Sequence, residues 1–163
     1  MDRAGILPHD VRLELVDGVL VEMTRSGPRH AAVVEWLTKR LVLAAGDRCA
    51  VRVQDTLLTG EYGFRSPDVM VIEPVGRDRL PDSALLIVEV AQTSRARDVT
   101  KPAVYAAADV AEYWIVDVDR DEVLVHRAPS ATTYGSVERF IPGDAIVPLP
   151  DLPPIDVAAL LAR

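Results

Sequence analysis

The feature that most constrains the fold is an apolar run that contains a single acidic residue. The run spans residues 84–91 and reads ALLIVEVA. Near-continuous apolar runs of this length are typical of strands that are covered on both faces of a sheet. The run therefore predicts a buried strand in a helix-flanked sheet, with the carboxylate of Glu89 inside it.

The rest of the chain supplies the other parts of a mixed architecture. Apolar residues at intervals of three and four predict a helix from about residue 29 to residue 45. A dipeptide that favours tight turns, Asp17-Gly18, lies between two apolar arms and predicts an N-terminal hairpin over residues 11–24. Further strands are predicted at 49–58, 66–73, 112–117 and 122–127, and a short helix at about 100–108. The expected fold class is α/β, of the α+β type: a mixed sheet flanked by helices, with an added hairpin.

The length of 163 residues indicates a single domain over 1–163. Within it we expect the hairpin at 11–24, a core at 28–128, and a C-terminal part at 129–163 made of extended segments and a last helix at 155–161.

Hydrophobic types make up 49% and charged types 26%, which excludes a disordered chain. No apolar run approaches the roughly 18 residues of a membrane helix, and the N-terminus lacks a signal-peptide core. We therefore expect a cytoplasmic protein without a membrane partner.

Cysteine content and charge narrow the possible functions. The single cysteine, Cys49, excludes an intrachain disulfide framework and a multi-cysteine zinc site. The formal net charge of −7 argues against a basic protein that coats nucleic acid. It is compatible with an enzyme in which acidic residues hold a metal ion that then meets a phosphate.

Two carboxylates are the best candidates for such a site. An ionised Glu89 inside a buried strand is costly unless it is paired or bound to a metal; the alternative is that it points to solvent or to an arginine. Asp68 begins the next apolar segment upstream, DVMVI, directly after Pro67. If the two segments are neighbouring strands, the two carboxylates converge. Mg²⁺ in proteins usually takes one or two carboxylates and keeps sites for water and phosphate.

Other residues become candidates only in combination, and each has an ordinary interpretation when it is taken alone. Lys101 lies near the start of the predicted second helix, where an ammonium can orient water or offset charge on phosphorus; the alternative is a solvated lysine. Glu14, taken alone, is an exposed hairpin acid. His30 lies at a helix start, where a histidine is more often a capping or surface residue than a catalytic base. Tyr105 and Trp114 are expected in the core.

The motifs occur in a recognisable order. PDVMVI is followed by LLIVEVAQTS and by KPAVYAAADVAEYWIVD; ELVDGVLVEM and GPRH precede them, and PIDVAALL closes the series. This series resembles the Uma-two family of restriction-endonuclease-like proteins over about residues 11–161. The resemblance implies a PD-(D/E)XK nuclease-like fold and a phosphodiesterase site that uses a divalent metal.

The resemblance also implies roles for individual residues. Asp68 corresponds to the acid of the PD motif and Glu89 to the second acid, with Glu14 as a further acid that completes a Mg²⁺ or Mn²⁺ site. The usual lysine two positions after the second acid is Ala91 here, and Lys101 on the following helix takes its role. Two further residues match recurrent family positions without an assigned role; they are His30 and Tyr105.

Three hypotheses follow for the function. The first is a metal-dependent endonuclease that hydrolyses DNA. The second is a catalytically inactive binding or regulatory module with the same fold. The third is a homodimer or other homo-oligomer formed through the hairpin or a strand edge, which is compatible with either function. DNA contact would depend on a local patch of arginines that flank the motif loops: Arg25, Arg29, Arg65, Arg95 and Arg97.

Overall fold

The structure of the protein is a computed structural model. The structure describes residues 13–16, 18–22, 27–60, 63–76, 78–92, 100–148 and 152–162. Of the hairpin residues 13, 14, 16, 21 and 22, only the backbone is described. No helix in these described ranges is long and apolar enough to cross a membrane.

The described elements are twelve strands and three helices. In chain order they are β1 (Leu13–Val16), β2 (Val19–Glu22), α1 (Pro28–Ala45), β3 (Ala50–Val53), β4 (Leu57–Leu58), β5 (Phe64–Arg65), β6 (Val69–Ile72), β7 (Leu86–Ala91), α2 (Lys101–Ala107), β8 (Glu112–Asp117), β9 (Glu122–Pro129), β10 (Tyr134–Phe140), β11 (Ala145–Ile146), β12 (Ile155–Asp156) and α3 (Val157–Leu160).

A six-stranded sheet with the order β10-β9-β8-β7-β6-β3 forms the centre of the molecule. Strands β7 and β8 run parallel, with α2 in the connection between them, and the other neighbouring pairs are antiparallel. The apolar run 84–91 therefore forms an interior strand of this sheet. The predicted architecture, a mixed sheet flanked by helices, is confirmed.

Side-chain alternation along β7 divides the core into two layers. Val88 and Val90 pack in the same cluster as Leu37 and Leu41 of α1. The odd-numbered positions Ile87 and Ala91 pack instead with Tyr105 of α2. Because side chains in a strand alternate between faces, Glu89 shares the face of Ile87 and Ala91 and is directed to the α2 side.

The predicted hairpin is present. The backbones of β1 and β2 pair in antiparallel register from Leu13–Glu22 to Val16–Val19. Gly18 has a φ of 80°, a conformation that glycine adopts without steric cost. Asp17 itself lies outside the described residues. The hairpin joins β5 and β4 in a separate four-stranded sheet with the order β2-β1-β5-β4.

The prediction of one strand over 49–58 was wrong. Gln54 has a φ of 51°, and its backbone N–H donates to the carbonyls of Pro67 (3.1 Å) and Asp68 (3.2 Å). This turn separates β3, which joins the central sheet, from β4, which joins the small sheet. The strand predicted at 66–73 likewise begins only at Val69.

The C-terminal part contributes to both the sheet and the core. Strand β10, which the sequence indicated only as extended chain, pairs with β9 from Tyr134–Pro129 to Phe140–Val123. The last helix is shorter than the predicted 155–161, because Ile155 and Asp156 form β12. Val157 and Leu160 of α3 are buried in the cluster that lies under α1.

Candidate active site

The strand register places the two candidate carboxylates side by side. Strands β6 and β7 are antiparallel, with Val69 opposite Val88. Asp68 directly precedes β6, so the same register sets it opposite Glu89. Both residues are buried, with 5% and 8% of their surfaces exposed. The structure thus brings together the two acids that the sequence placed on separate segments.

Asp68 contacts a side chain of α1 and a backbone group of β7. Its Oδ2 lies 2.9 Å from Nε2 of His30 and 3.0 Å from the backbone N of Val90. Because an ionised carboxylate only accepts hydrogen bonds, the contact of an ionised Asp68 with His30 requires the proton on Nε2. Nδ1 of His30 is buried and has no hydrogen-bond partner among the described residues.

His30 is therefore neither a capping nor a surface residue, and that interpretation of the sequence was wrong. It lies in the first turn of α1 and is buried. A signal was present in the sequence, because His30 continues the buried helical stripe of Val33, Val34 and Leu37 at i, i+3, i+4 and i+7. A polar residue on that stripe needs a buried partner, and Asp68 supplies it.

Glu89 is held by two side chains of α2. Nζ of Lys101 lies 2.8 Å from its Oε1, and the Tyr105 hydroxyl donates to the same oxygen at 2.6 Å. The spacing i, i+4 places Lys101 and Tyr105 on one face of the helix. Lys101 is buried, not solvated. Tyr105 is in the core as expected, but its hydroxyl also reaches the site, which core packing alone did not indicate.

The charges of Glu89, Lys101 and Asp68 influence one another. Burial raises the pKa of Glu89 above its usual value, and the carboxylate of Asp68 raises it further. The ammonium of Lys101 acts in the opposite direction, and the hydrogen bonds from Lys101 and Tyr105 also lower this pKa. An ionised Glu89 therefore depends on α2 remaining in place.

Two residues after the end of α2, Asp109 adopts a left-handed φ of 55°. Aspartate tolerates this conformation better than most residues with a side chain. The chain therefore turns out of the helix at this position without a glycine.

The proposed metal ligands are only partly brought together. Among the described residues, no group of three histidine, cysteine or acidic side chains could hold a metal ion. The Glu14 side chain lies outside the described part of the chain, although its backbone pairs with Val21. Asp68 and Glu89 alone provide the two hard oxygen ligands that Mg²⁺ commonly uses. Oε2 of Glu89 accepts none of the hydrogen bonds made by the described residues, so the pair fits a divalent cation.

The predicted arginine patch is not supported where it is described. Arg65 is only 2% exposed, and its Nη1 donates to the backbone oxygens of Leu15 and Phe64. It is therefore wrong as a surface contact for DNA. Arg29 pairs with Asp121. The remaining three members lie outside the described residues: Arg25, Arg95 and Arg97.

Comparisons with known proteins concern the family and the fold of this chain. The Uma2 family, whose description is "putative restriction endonuclease", matches residues 3–160. The crystal structure of a "putative nuclease belonging to DUF820" from Anabaena variabilis has a TM-score of 0.78 at 16% identity, over 92% of this chain and 89% of that one. A search of curated proteins gave no match. The resemblance in the sequence is thus confirmed, and the chain belongs to the Uma2 family of restriction-endonuclease-like proteins.

Proposed function

We propose that the protein is a metal-dependent endonuclease that hydrolyses phosphodiester bonds in DNA. The observation that carries this proposal is the pair of buried carboxylates, Asp68 directly before β6 and Glu89 on the adjacent β7, with the Lys101 ammonium 2.8 Å from Glu89. Two acids and a lysine in one buried group are the elements that the family resemblance implies for catalysis. Membership of a nuclease family supports a nucleic acid as substrate.

Asp68 and Glu89 would hold the Mg²⁺ or Mn²⁺ ion, with Glu14 as a third ligand. A bound ion of this kind polarises the scissile phosphate and lowers the pKa of a coordinated water. Mg²⁺ keeps several waters even when it is bound by two carboxylates, so a phosphate oxygen can replace one of them.

The other side chains of the site prepare it for this chemistry. In this proposal the buried ammonium of Lys101 orients the attacking water or offsets negative charge that develops on phosphorus. His30 holds one oxygen of Asp68 from α1, at 2.9 Å. The side chains of the site are all buried; they are His30, Asp68, Glu89 and Lys101. Water therefore screens their charges less than it would at the surface.

A cleavage assay on duplex, single-stranded and branched DNA, with Mg²⁺, Mn²⁺ or EDTA, tests the proposal. Asp68→Asn removes charge with little change in volume and should abolish cleavage. Lys101→Met should lower the rate by about 10²–10³-fold, the effect of losing one preorganised donor. The matched control is Asp121→Asn, which changes a half-exposed acid outside the pair and should leave the rate unchanged. Full cleavage by Asp68→Asn would contradict the mechanism.

A second candidate function is a binding or regulatory module without catalysis. It is favoured by the fact that both carboxylates already have partners in the protein: Lys101 contacts Glu89 and His30 contacts Asp68. Such a site can fold without a metal ion. This alternative predicts a well-folded protein that binds DNA equally well in EDTA and in Mn²⁺, and that cleaves none of the substrates.

Homodimerisation stays a proposal of its own. The exposed hairpin residues Val19 and Leu20, with 63% and 47% of their surfaces accessible, lie on β2 at the edge of the small sheet. Sheet edges are common sites of association between chains. Sedimentation of the wild type should give a dimer that Leu20→Lys converts to a monomer; a wild-type monomer at all concentrations would remove this proposal.

A further inference from the structure

We propose that Tyr105 is a positioning residue that fixes Oε1 of Glu89, so that Oε2 is the oxygen directed to the divalent cation. The cation part of this inference rests on the proposed function. The contact between the phenol and the carboxylate does not, and it can be tested without metal.

The two hydrogen bonds of Glu89 are unevenly distributed over its carboxylate. The Tyr105 hydroxyl and the Lys101 ammonium both contact Oε1, at 2.6 and 2.8 Å. Neither bond involves Oε2. Hydrogen bonds to an ionised acceptor are stronger than neutral ones, so two of them on one oxygen define the orientation of the group. The second oxygen is then the one available to a cation.

Tyr105 is better suited than Lys101 to set this orientation. A lysine ammonium is a compact charge on a flexible four-carbon chain, and it can follow a carboxylate that rotates. The Tyr105 ring is fully buried and has little freedom. It packs against Tyr113 with ring centroids 5.0 Å apart, and Tyr113 packs against His126 at 5.2 Å.

The backbone around Tyr105 is also fastened to the sheet. The N–H of Val110 donates to the Tyr105 carbonyl at 3.0 Å, which closes the end of α2. The hydroxyl of Tyr134, on β10, donates to the Val110 carbonyl at 2.9 Å. Val110 lies after the end of α2, so the Tyr134 bond fastens the segment that follows the helix and not Tyr105 itself.

These contacts provide a matched pair of variants. Tyr105→Phe removes the hydroxyl that contacts Glu89 and keeps the ring. Tyr134→Phe makes the same chemical change in the same aromatic group, but the lost hydroxyl bonds to a backbone carbonyl and not to the site. If the role of Tyr105 were purely structural, the two variants would show the same changes in melting temperature and in Mn²⁺ affinity.

The first experiment uses thermal unfolding in EDTA. Tyr105→Phe should lower the melting temperature in the wild-type background and lower it much less in a Glu89→Leu background, because the acceptor is already absent there. Tyr134→Phe should give the same shift in both backgrounds. If Glu89→Leu does not fold, Glu89→Gln replaces it, since a neutral amide accepts a weaker bond. Equal shifts for Tyr105→Phe in both backgrounds would overturn the inference.

The second experiment measures Mn²⁺ affinity by calorimetry. Loss of a group that orients a metal ligand typically weakens affinity by about 10–100-fold, and we expect this for Tyr105→Phe. Tyr134→Phe should retain the wild-type affinity. Equal weakening in both variants would overturn the orienting role. Absence of Mn²⁺ binding by the wild type would overturn the proposed function and the role of Oε2 together, and the unfolding experiment in EDTA would still decide whether Tyr105 orients Glu89.

Discussion

The two carboxylates of the candidate site lie side by side but are held in different ways. Asp68 is fixed by an imidazole from α1 and by the backbone N–H of Val90. Glu89 is fixed by two side chains that both come from α2, a helix of seven residues. The Asp68 half therefore rests on a long helix and the sheet itself, whereas the Glu89 half rests on one short element.

The difference also concerns charge. Burial raises the pKa of Glu89, and the nearby Lys101 ammonium is the main influence that lowers it. The backbone N–H of Val90, which donates to Asp68, cannot be removed by substitution of a side chain. The Lys101 ammonium can be removed in this way. The Glu89 half is therefore more sensitive to substitution of a side chain than the Asp68 half. The following predictions test that difference.

The largest effect is expected from Lys101→Met. Removing one partner of a buried ion pair leaves the other charge uncompensated, which costs about 3–5 kcal/mol of stability. Urea denaturation measures this cost. The chain offers a matched control, since its other lysine, Lys39, is exposed on α1. Lys39→Met should change stability by no more than about 0.5 kcal/mol.

The double variant Lys101→Met/Glu89→Leu sharpens this prediction. It removes both charges and should be more stable than Lys101→Met alone, because no unpaired buried charge remains. If Lys101→Met costs no more than Lys39→Met, the Glu89 half does not depend on its charge partner.

A smaller effect is expected on the Asp68 half. His30→Leu removes one hydrogen bond to Asp68 and leaves the bond from the Val90 N–H. The expected cost is about 1–3 kcal/mol, the penalty for a buried acceptor that loses a partner. The same denaturation assay measures it. If His30→Leu cost more stability than Lys101→Met, the Asp68 half would be the more sensitive of the two, contrary to this account.

Acid is expected to destabilise the protein through His126, whose ring packs against Tyr113. Burial lowers the pKa of His126 below its ordinary 6.5, against a smaller opposing effect of its hydrogen bond to the Tyr113 carbonyl. Between 6.5 and the lower folded value, the unfolded chain binds a proton that the native protein does not. Stability therefore falls as pH drops through this window.

The variant His126→Phe removes that proton uptake and keeps an aromatic ring beside Tyr113. Denaturation of both proteins at several pH values should show a shallower decline on the acid side for the variant. Identical pH profiles would show that His126 does not contribute to acid sensitivity.

The smallest effect is expected from Arg29→Ala. Arg29 and Asp121 form an ion pair whose side chains are 24% and 40% exposed. Pairs in contact with water contribute about 0–1 kcal/mol and are screened by salt. Denaturation at low and high salt should show a small difference that disappears at high salt. A cost comparable to that of Lys101→Met would mean that burial does not distinguish the two ion pairs.

Much of the fold could be predicted because its periodicities are local. The run ALLIVEVA predicted β7, and the stripe of α1 residues predicted a helix with one buried face. The break at Gln54 could not be predicted in the same way. No glycine or proline marks it, and the left-handed backbone is supported by hydrogen bonds to carbonyls of Pro67 and Asp68, which are distant in sequence.

The candidate site was predictable only in part, for a related reason. Asp68 and Glu89 could be found because acids beside apolar strands are unusual. The burial of Lys101 depends on how α2 docks on the sheet, which residue type and position do not determine. His30 could have been found from its place on the apolar stripe, whereas the bond from the Tyr105 hydroxyl had no signal in the residues themselves.

The most direct test of the central claim is Mn²⁺ binding by calorimetry, with and without a DNA duplex, on the wild type, Glu89→Gln and Asp121→Asn. Folding of each protein is checked by circular dichroism. We predict that the wild type and Asp121→Asn bind Mn²⁺ with the same affinity and that Glu89→Gln loses this binding. A well-folded wild type that binds no Mn²⁺ in either condition would contradict the claim that Asp68 and Glu89 form a metal site.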